Sequence, residues 1–465
     1  MKLFFISIFL FSINFSCQTV RKKKVKKITW NEHLNKVYDD GVKFGIKVYE
    51  NPINIIYKKN EKEKFSIHIQ RPKTVFKARK PQGWGFVQFP RLIKKNENTL
   101  AVIWNMNEDD VLARPKTEWK FSKDNGKSWF FNNEKLPYDE GVSLSDGSKL
   151  KLYSKKYKVS NFPHIGFKDD SKISKISKSK KKDLISFKKY DELVYYNVEN
   201  LNDSLTSFNS IKTKKGVKKI SKSIVSYLPK TIKHSFKGIY YNQLWGRVMK
   251  LKDGSLLTCQ YPYFFRDEND NINPSGVAFY KSLDDGESWS QISKIPFSIN
   301  KNLDQDNFKY RTFYGFTEPI FQIVNDQKIV CILRSSPTYR SAPMYMTISN
   351  DLGESWSKPK AITNHGVLPQ LLLLNNGVLV LSYGRPGVQV RFLDTKKEEL
   401  EWSDPIEMLR VNGLKGQVSC GYTNLVAMSE NEFLIVYSDF RSRDDEGNLR
   451  KSILVREISI KITDK

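Results

Sequence analysis

The sequence predicts an all-β fold built from a repeated sheet unit, and three observations carry that prediction. First, helical periodicity is hard to find. Short runs rich in Val, Ile, Phe and Tyr instead alternate with Asp-Gly and Asn-Gly turns, as in Gly254-Ser255-Leu256-Leu257 and Gly377-Val378-Leu379-Val380-Leu381, the pattern of many short antiparallel strands. Second, one octapeptide pattern, Ser-x-Asp-x-Gly-x-Ser-Trp, occurs three times, at 122–129, 282–289 and 349–356. Third, aromatic residues make up 13% of the chain, which suits sheet packing and also sites where flat rings stack on sugars.

Each octapeptide follows an apolar strand-like run and precedes another. The chemistry fits a hairpin turn: Asp bonds back to turn amides, Gly takes the left-handed backbone position, and Trp fills the space between neighbouring sheets. The spacing of the copies leaves room for one degenerate repeat around 188–202, and a worn copy stands at Glu401-Trp402-Ser403-Asp404. With final strands at 432–439 and 452–460 the units number about six, a β-propeller of six four-stranded antiparallel blades. A chain of 465 residues accommodates that as one large all-β domain.

The chain divides into a signal segment at 1–17, a tether and N-terminal extension at 18–75, and the propeller at 76–465 with a Lys-rich insertion near 169–233. Met1-Lys2 and the apolar run Leu3-Phe4-Phe5-Ile6-Ser7-Ile8-Phe9-Leu10-Phe11 form the n- and h-regions of an export signal. Ser16-Cys17 then places a small residue before a cysteine, as a lipoprotein signal does, although Asn14 stands where an aliphatic residue is usual. Lipidation of Cys17 would give an envelope or outer-membrane lipoprotein held to the membrane by its lipid; simple cleavage would give a secreted or periplasmic protein.

The formal charge of +28 admits nucleic acid, an anionic membrane surface or an acidic polysaccharide as partner, or simply lysines on solvated surfaces, as in the runs 21–27 and 171–182. No nucleic-acid-binding motif is present, so no nucleic-acid partner is expected. Cys259, Cys331 and Cys420 sit in strand-like contexts without disulfide or metal spacing. They read as small buried hydrophobes, and no metal or cofactor is expected.

The three octapeptides are similar to the Asp-boxes of the sialidase superfamily, and the chain from about 84 to 457 resembles that family further. Glu318-Pro319-Ile320-Phe321 followed by Val330-Cys331-Ile332-Leu333-Arg334 looks like its Glu…Arg strand pair. Gly384-Arg385-Pro386-Gly387-Val388-Gln389-Val390-Arg391 looks like the element carrying a later arginine, and Gly421-Tyr422-Thr423-Asn424-Leu425 like the stretch carrying its tyrosine. The resemblance implies Tyr422 as nucleophile at the anomeric carbon and Glu318 as the base that takes its proton. It implies Asp110, in Glu108-Asp109-Asp110, as acid/base, and Arg334 and Arg385 as ligands of an anionic group.

The departure lies on the first propeller strand. Val87-Gln88-Phe89-Pro90-Arg91 places Gln88 where the family has the first arginine of its triad, and Arg91 comes three residues later, on the other strand face by counting. Arg91 and Arg247 are candidates to compensate. The expected function is hydrolysis of a terminal, acidic sugar from a glycan. Two alternatives stand beside it: a lyase or hydrolase on uronic-acid polysaccharide, for which His365 is a candidate, and a non-catalytic glycan-binding propeller. Glu318 as a surface carboxylate, Arg385 as a turn residue, Tyr422 as a packed aromatic and Asp110 in an exposed acidic loop are the ordinary alternatives for the single residues.

Overall fold

The computed structural model describes residues 46–109, 116–131, 141–158, 184–189, 192–199, 207–235, 239–242, 247–300, 302, 315–335, 342–411 and 417–463. Among them every regular element is a β-strand, and there is no helix. A three-stranded sheet contains Phe86–Lys94, Leu100–Met106 and Thr117–Ser122, and a short bridge, Phe121 to Phe130, extends it. A four-stranded meander contains Thr317–Ile323, Ile329–Arg334, Met344–Ser349 and Lys360–Ala361. A five-stranded sheet holds Val367–Leu373, Val378–Gly384, Val388–Asp394, Ile406–Glu407 and Ile46–Lys47. A six-stranded sheet joins both ends of the described chain: Thr423–Ala427, Glu432–Arg443 and Leu449–Ile462 pair with strands from Ile53–Lys59, Lys62–Ile69 and Lys73–Lys77. An eleven-stranded and a two-stranded sheet take the remainder.

Within the stretch expected as tether and N-terminal extension at 18–75, the chain from 46 on contributes strands to the sheets, the last of them running to Lys77. The reason is their alternation: Ile55, Tyr57, Phe65, Ile67 and Ile69 are buried in one core with Phe392, Phe433 and Tyr437, and a strand with one buried face must pair. The Lys-rich stretch is likewise strand-forming where it is described. Leu184–Lys189, Glu192–Glu199, Ser207–Lys214, Val217–Ser226 and Thr231–Ser235 all lie in the eleven-stranded sheet. Residues 1–45, with Cys17 and the run 21–27, and residues 171–182 fall outside the described residues.

The three octapeptide turns are built alike. In the first, Ser122 Oγ donates to Asp124 Oδ1 at 2.7 Å and accepts from Gly126 N at 2.7 Å, while Ser128 N and Oγ both donate to Asp124, at 2.9 and 2.6 Å. The same four bonds recur around Asp284 and Asp351. The donated bonds, Ser128's first among them, hold the Asp124 carboxyl down at about 2. Gly126, Gly286 and Gly353 have φ of +83°, +83° and +94°, and the residue before each is also left-handed, which only glycine adopts at low cost. Two of the turns are tied to a neighbouring strand: the Gly286 carbonyl accepts from Ser223 of the same eleven-stranded sheet, and across to that sheet the Gly353 carbonyl accepts from Ser293 while Trp356 Nε1 donates to Ser293 Oγ at 3.0 Å.

Five apolar cores hold the sheets together, the first four below between two sheets and the fifth between strands of the eleven-stranded sheet itself. Trp104, Val102 and Leu92 pack against Leu434, Val436 and Ile453; Val388, Val390 and Phe392 against Phe433, Ile435 and Tyr437; Ile332 and Met344 against Leu379 and Tyr383; Leu257 and Phe279 against Phe321 and Cys331; and Leu150 and Phe208 against Tyr280 and Trp289. Cys259, Cys331 and Cys420 are free and buried.

One buried residue works against folding. Lys233 is 4% exposed, with its ammonium 3.7 Å from the Tyr227 ring centroid, and burial brings its pKa down to about 7. The unfolded chain binds more protons than the folded one between that value and the ordinary lysine value, so stability rises with pH across the interval and the penalty is complete below it. Lys233→Met is expected to stabilise by roughly 2–4 kcal/mol at neutral pH. Thermal melts at pH 7 and pH 10 check this: the gain must be larger at pH 7, and an equal gain would mean that the charge plays no part.

Candidate functional site

The strand Thr317–Ile323 opens on Thr317-Glu318-Pro319, and its neighbour Ile329–Arg334 closes on Arg334, so the two side chains meet at the same end of the sheet. The Ser349–Trp356 octapeptide lies at the other end, where Leu352 N donates to the Gln327 carbonyl. Glu318 and Arg334 are both buried, and Arg334 Nη1 donates to Glu318 Oε2 at 2.6 Å. Glu318 Oε2 also accepts from Leu368 N at 2.9 Å, and Glu318 Oε1 accepts from the Tyr422 hydroxyl at 2.5 Å. Three sheets thus converge on one carboxylate.

Burial opposes ionisation of Glu318, but the Arg334 charge and the three donated bonds outweigh it and hold its carboxyl below the usual range. For Arg334 burial is also the largest influence and favours deprotonation; the Glu318 carboxylate overrides it, so the guanidinium stays charged. Burial, then the Glu318 charge, pushes the half-buried Tyr422 phenol well above its ordinary value, with Arg334 and Arg385 pulling the other way. The resting state is therefore a neutral phenol donating a short, charge-assisted bond to an ionised glutamate.

The backbone that aims these groups is strained, and in the same way three times. Glu318, Leu368 and Phe89 each precede a proline, have φ of +46°, +43° and +53°, and sit at a register shift of their strand. Left-handed φ at a non-glycine residue costs of order 1–3 kcal/mol and collects at functional sites, and a bulge re-aims a side chain off the regular pleat. Phe89 and Leu368 were not singled out from the sequence. Phe89 packs edge-on against Tyr422, with ring centroids 4.9 Å apart, and Leu368 supplies the amide to Glu318. The legible trace was a hydrophobic or acidic residue followed by Pro near the start of a strand.

Arg385 stands beside Tyr422. It has φ of +61°, its Nη2 donates to the Cys420 carbonyl at 3.1 Å, and its guanidinium carbon is 5.6 Å from the Trp84 ring centroid, a cation–π contact. Trp84 Nε1 in turn donates to Asp109 at 3.1 Å. Gly384 makes this approach possible: a Cβ there would lie 2.3 Å from Gly421 Cα and from its carbonyl oxygen. Gly384→Ala is expected to cost about 1–3 kcal/mol and to displace Tyr422 and Arg385 together. Activity lost at a temperature where the variant is still folded by circular dichroism checks it.

Gln88 is fully buried. Its Oε1 accepts from Gly85 N at 3.0 Å, and its Nε2 has no hydrogen-bond partner. Gln88 pairs with Asn105 and Arg91 with Ile103, so three steps on one strand match two on the other across a bulge. Arg91 is exposed where Gln88 is buried. Arg247 is also exposed and donates to the Leu371 carbonyl at 3.0 Å. Asp110 lies outside the described residues. His365 is 2% exposed, its Nδ1 lies 2.6 Å from Asn364 Oδ1, and its ring is 5.9 Å from that of Tyr383. Burial brings its pKa down to about 4, as for a neutral interior histidine. No group of His, Cys, Asp and Glu among the described residues forms a metal site.

No protein-family model matches the chain, and no curated protein matches it. Among solved structures it is similar to a protein of unknown function from Dyadobacter fermentans, with a TM-score of 0.50 and 16% identity over 84% of this chain and 99% of that one. It is also similar to Trypanosoma rangeli sialidase (TM-score 0.37, 10% identity, 88% of this chain and 60% of that one). A polysaccharide lyase described as an ulvan lyase gives a TM-score of 0.33 and 12% identity, over 85% of this chain and 96% of that one. At such identities the likeness to the Dyadobacter protein is one of fold, and the lower-scoring two add nothing to the chemistry of the site.

Proposed function

We propose that this chain is an exported six-bladed propeller that hydrolyses a terminal, acidic sugar from a glycan by a sialidase-type double displacement. The observation that carries this reading is the Tyr422–Glu318–Arg334 relay, 2.5 and 2.6 Å in its two bonds, with Arg385 alongside. Four cores linking five sheets in series fit consecutive blades, with the octapeptide of the four-stranded sheet at the end away from Glu318.

In the first step Tyr422 Oη attacks the anomeric carbon as its proton passes to Glu318, and the glycosidic bond breaks with Asp110 protonating the leaving oxygen. In the second, Asp110 removes a proton from water, which attacks the anomeric carbon. The bond to Tyr422 breaks, and Glu318 returns the proton to the phenol. A neutral nucleophile suits an acidic sugar, because a carboxylate would repel it, and enzymes with a tyrosine nucleophile stand outside the usual pair of carboxylates.

Arg334 is committed to Glu318, so its share in substrate binding is indirect, and Arg385 is left as the group best placed to meet an anion. Gln88 in place of an arginine lowers the positive charge of the clamp by one, so affinity for a carboxylate is weaker and the choice of sugar broader. Export through 1–17, with acylation at Cys17, belongs to the same reading. The test is a panel of chromogenic sialosides, uronides and rhamnosides with the wild type and Tyr422→Phe. Release of free sugar that the variant abolishes supports hydrolysis; a rise in absorbance from an unsaturated uronide would instead make the protein a lyase, and binding without turnover would make it a lectin.

A further inference from the structure

The hairpin of Ser207–Lys214 and Val217–Ser226 carries a surface that the site chemistry does not use. Over these residues and its Lys215-Gly216 turn the hairpin has six lysines, at 212, 214, 215, 218, 219 and 222, and no acidic residue. Its second strand alternates: Ser223 and Val225 turn into the protein, while Lys218, Ile220, Lys222 and Ile224 turn out. Val217, Ile220 and Ile224 are 73%, 70% and 72% exposed, and Leu283, in the adjoining turn whose Gly286 carbonyl accepts from Ser223, is 82% exposed. Scattered exposed aliphatics are ordinary on a protein surface, but Ile220 and Ile224 share one outward strand face with Lys218 and Lys222, and aliphatics grouped on one face mark a contact. The nearest carboxylates are already engaged: Glu287 with Lys212, and Asp146 with Lys214 at 3.0 Å. Lys215, Lys218, Lys219 and Lys222 are exposed along the same hairpin, Lys222 with its ammonium 5.9 Å from the Tyr157 ring centroid.

We propose that this hairpin docks the protein on an anionic lipid bilayer, its lysines among the headgroups and Ile220 and Ile224 at the acyl boundary. Charge complementarity selects an anionic partner, and the branched aliphatic side chains select one with an apolar phase, which a polysaccharide lacks. The position of the hairpin agrees. Its Lys212 and Lys214 touch Glu287, in the octapeptide turn, and Asp146, so its tip stands at the end of the strands where the octapeptide turns lie. In the four-stranded sheet that end is opposite Glu318 and Arg334. A protein held by this tip turns the Tyr422 end outward, toward glycans in solution, and needs no acyl chain on Cys17 to do so.

The experiment is vesicle co-sedimentation of the full chain carrying Cys17→Ser, which removes any acyl attachment. Vesicles of phosphatidylcholine alone are compared with vesicles containing about 30% phosphatidylglycerol. Binding to the anionic vesicles only is expected, weakening as NaCl rises from about 50 to about 500 mM. Ile220→Ser with Ile224→Ser is expected to reduce it about tenfold, and each of Lys218→Gln, Lys219→Gln and Lys222→Gln about fivefold. All these side chains are exposed, so the variants should keep the wild-type melting temperature and its turnover of soluble substrate. Equal binding to both vesicle types, no binding, or binding that the variants leave unchanged overturns the proposal. So does a concentration-dependent dimer in sedimentation velocity that the isoleucine variant dissolves, which would assign the surface to a second copy of the chain. Retention by an acidic polysaccharide without vesicle binding would overturn it as well.

Discussion

Phe in place of Tyr422 is expected to lower turnover of any hydrolysed glycoside by about a thousandfold or more, the scale seen when a nucleophile is removed from a set that acts as a unit. The structure adds a sharper expectation about how the reaction begins. The phenol is held well above its ordinary pKa and its acceptor carboxylate below, so the proton rests on Tyr422 and its transfer to Glu318 is uphill before substrate reacts. Nucleophilicity must then develop together with departure of the leaving group, as positive charge grows at the anomeric carbon. Glu318→Gln keeps the size and the bond to the phenol but cannot accept the proton, and a comparable loss is expected. Activated aryl glycosides, whose leaving group needs no acid, are expected to retain a residual rate in Asp110→Asn. If Tyr422→Phe retains more than about a tenth of wild-type activity, the double displacement fails, whatever the fold.

Removing Arg334 is expected to have the largest effect on stability. Arg334→Met leaves the Glu318 carboxylate buried with only the Leu368 amide and the Tyr422 hydroxyl, and breaking a buried pair from one side costs about 3–5 kcal/mol. In the wild type the Glu318 pKa is lowered on folding, so the carboxylate contributes stability above its unfolded value, and that contribution is lost as pH falls through the folded one. In Arg334→Met the sign reverses. Burial then dominates, the folded pKa rises above the unfolded one, and the variant is least stable at neutral pH. Thermal melts from pH 7 to pH 4 should therefore show the gap between the two proteins narrowing. Adding Glu318→Gln to Arg334→Met should recover part of the loss, because no charge is then stranded. A double variant no more stable than the single one would mean that the guanidinium acts by packing alone.

The site was legible in the sequence to the extent that its residues share a short stretch with a recognisable neighbour. Glu318 and Arg334 close a hairpin of adjacent strands, so their meeting follows from strand length. Tyr422 is more than a hundred positions from Glu318, and nothing local requires their hydroxyl and carboxylate to touch. Arg334 was expected as a substrate ligand from the family resemblance alone, and its buried ion pair with Glu318 became visible only in the structure. Gln88 was visible as an oddity, but its engagement with Gly85 depends on a bulge that counting along the strand cannot see.

By itself the sequence determined the class of fold, because alternation at period two, Asp-Gly and Asn-Gly turns and a repeated octapeptide are local and survive without partners. It also determined the turn chemistry, since Ser, Asp and Gly in each octapeptide satisfy one another within eight residues. The tertiary structure alone decided which sheets adjoin, that the segment from 46 belongs to them, and that three bulged strands bring Leu368 to Glu318 and Phe89 to Tyr422. Those outcomes rest on burial of faces contributed by distant segments, and on left-handed backbone at Glu318, Leu368 and Phe89 that no local preference would choose. Such strain persists only where surrounding sheets over-determine it, and only the assembled protein supplies them.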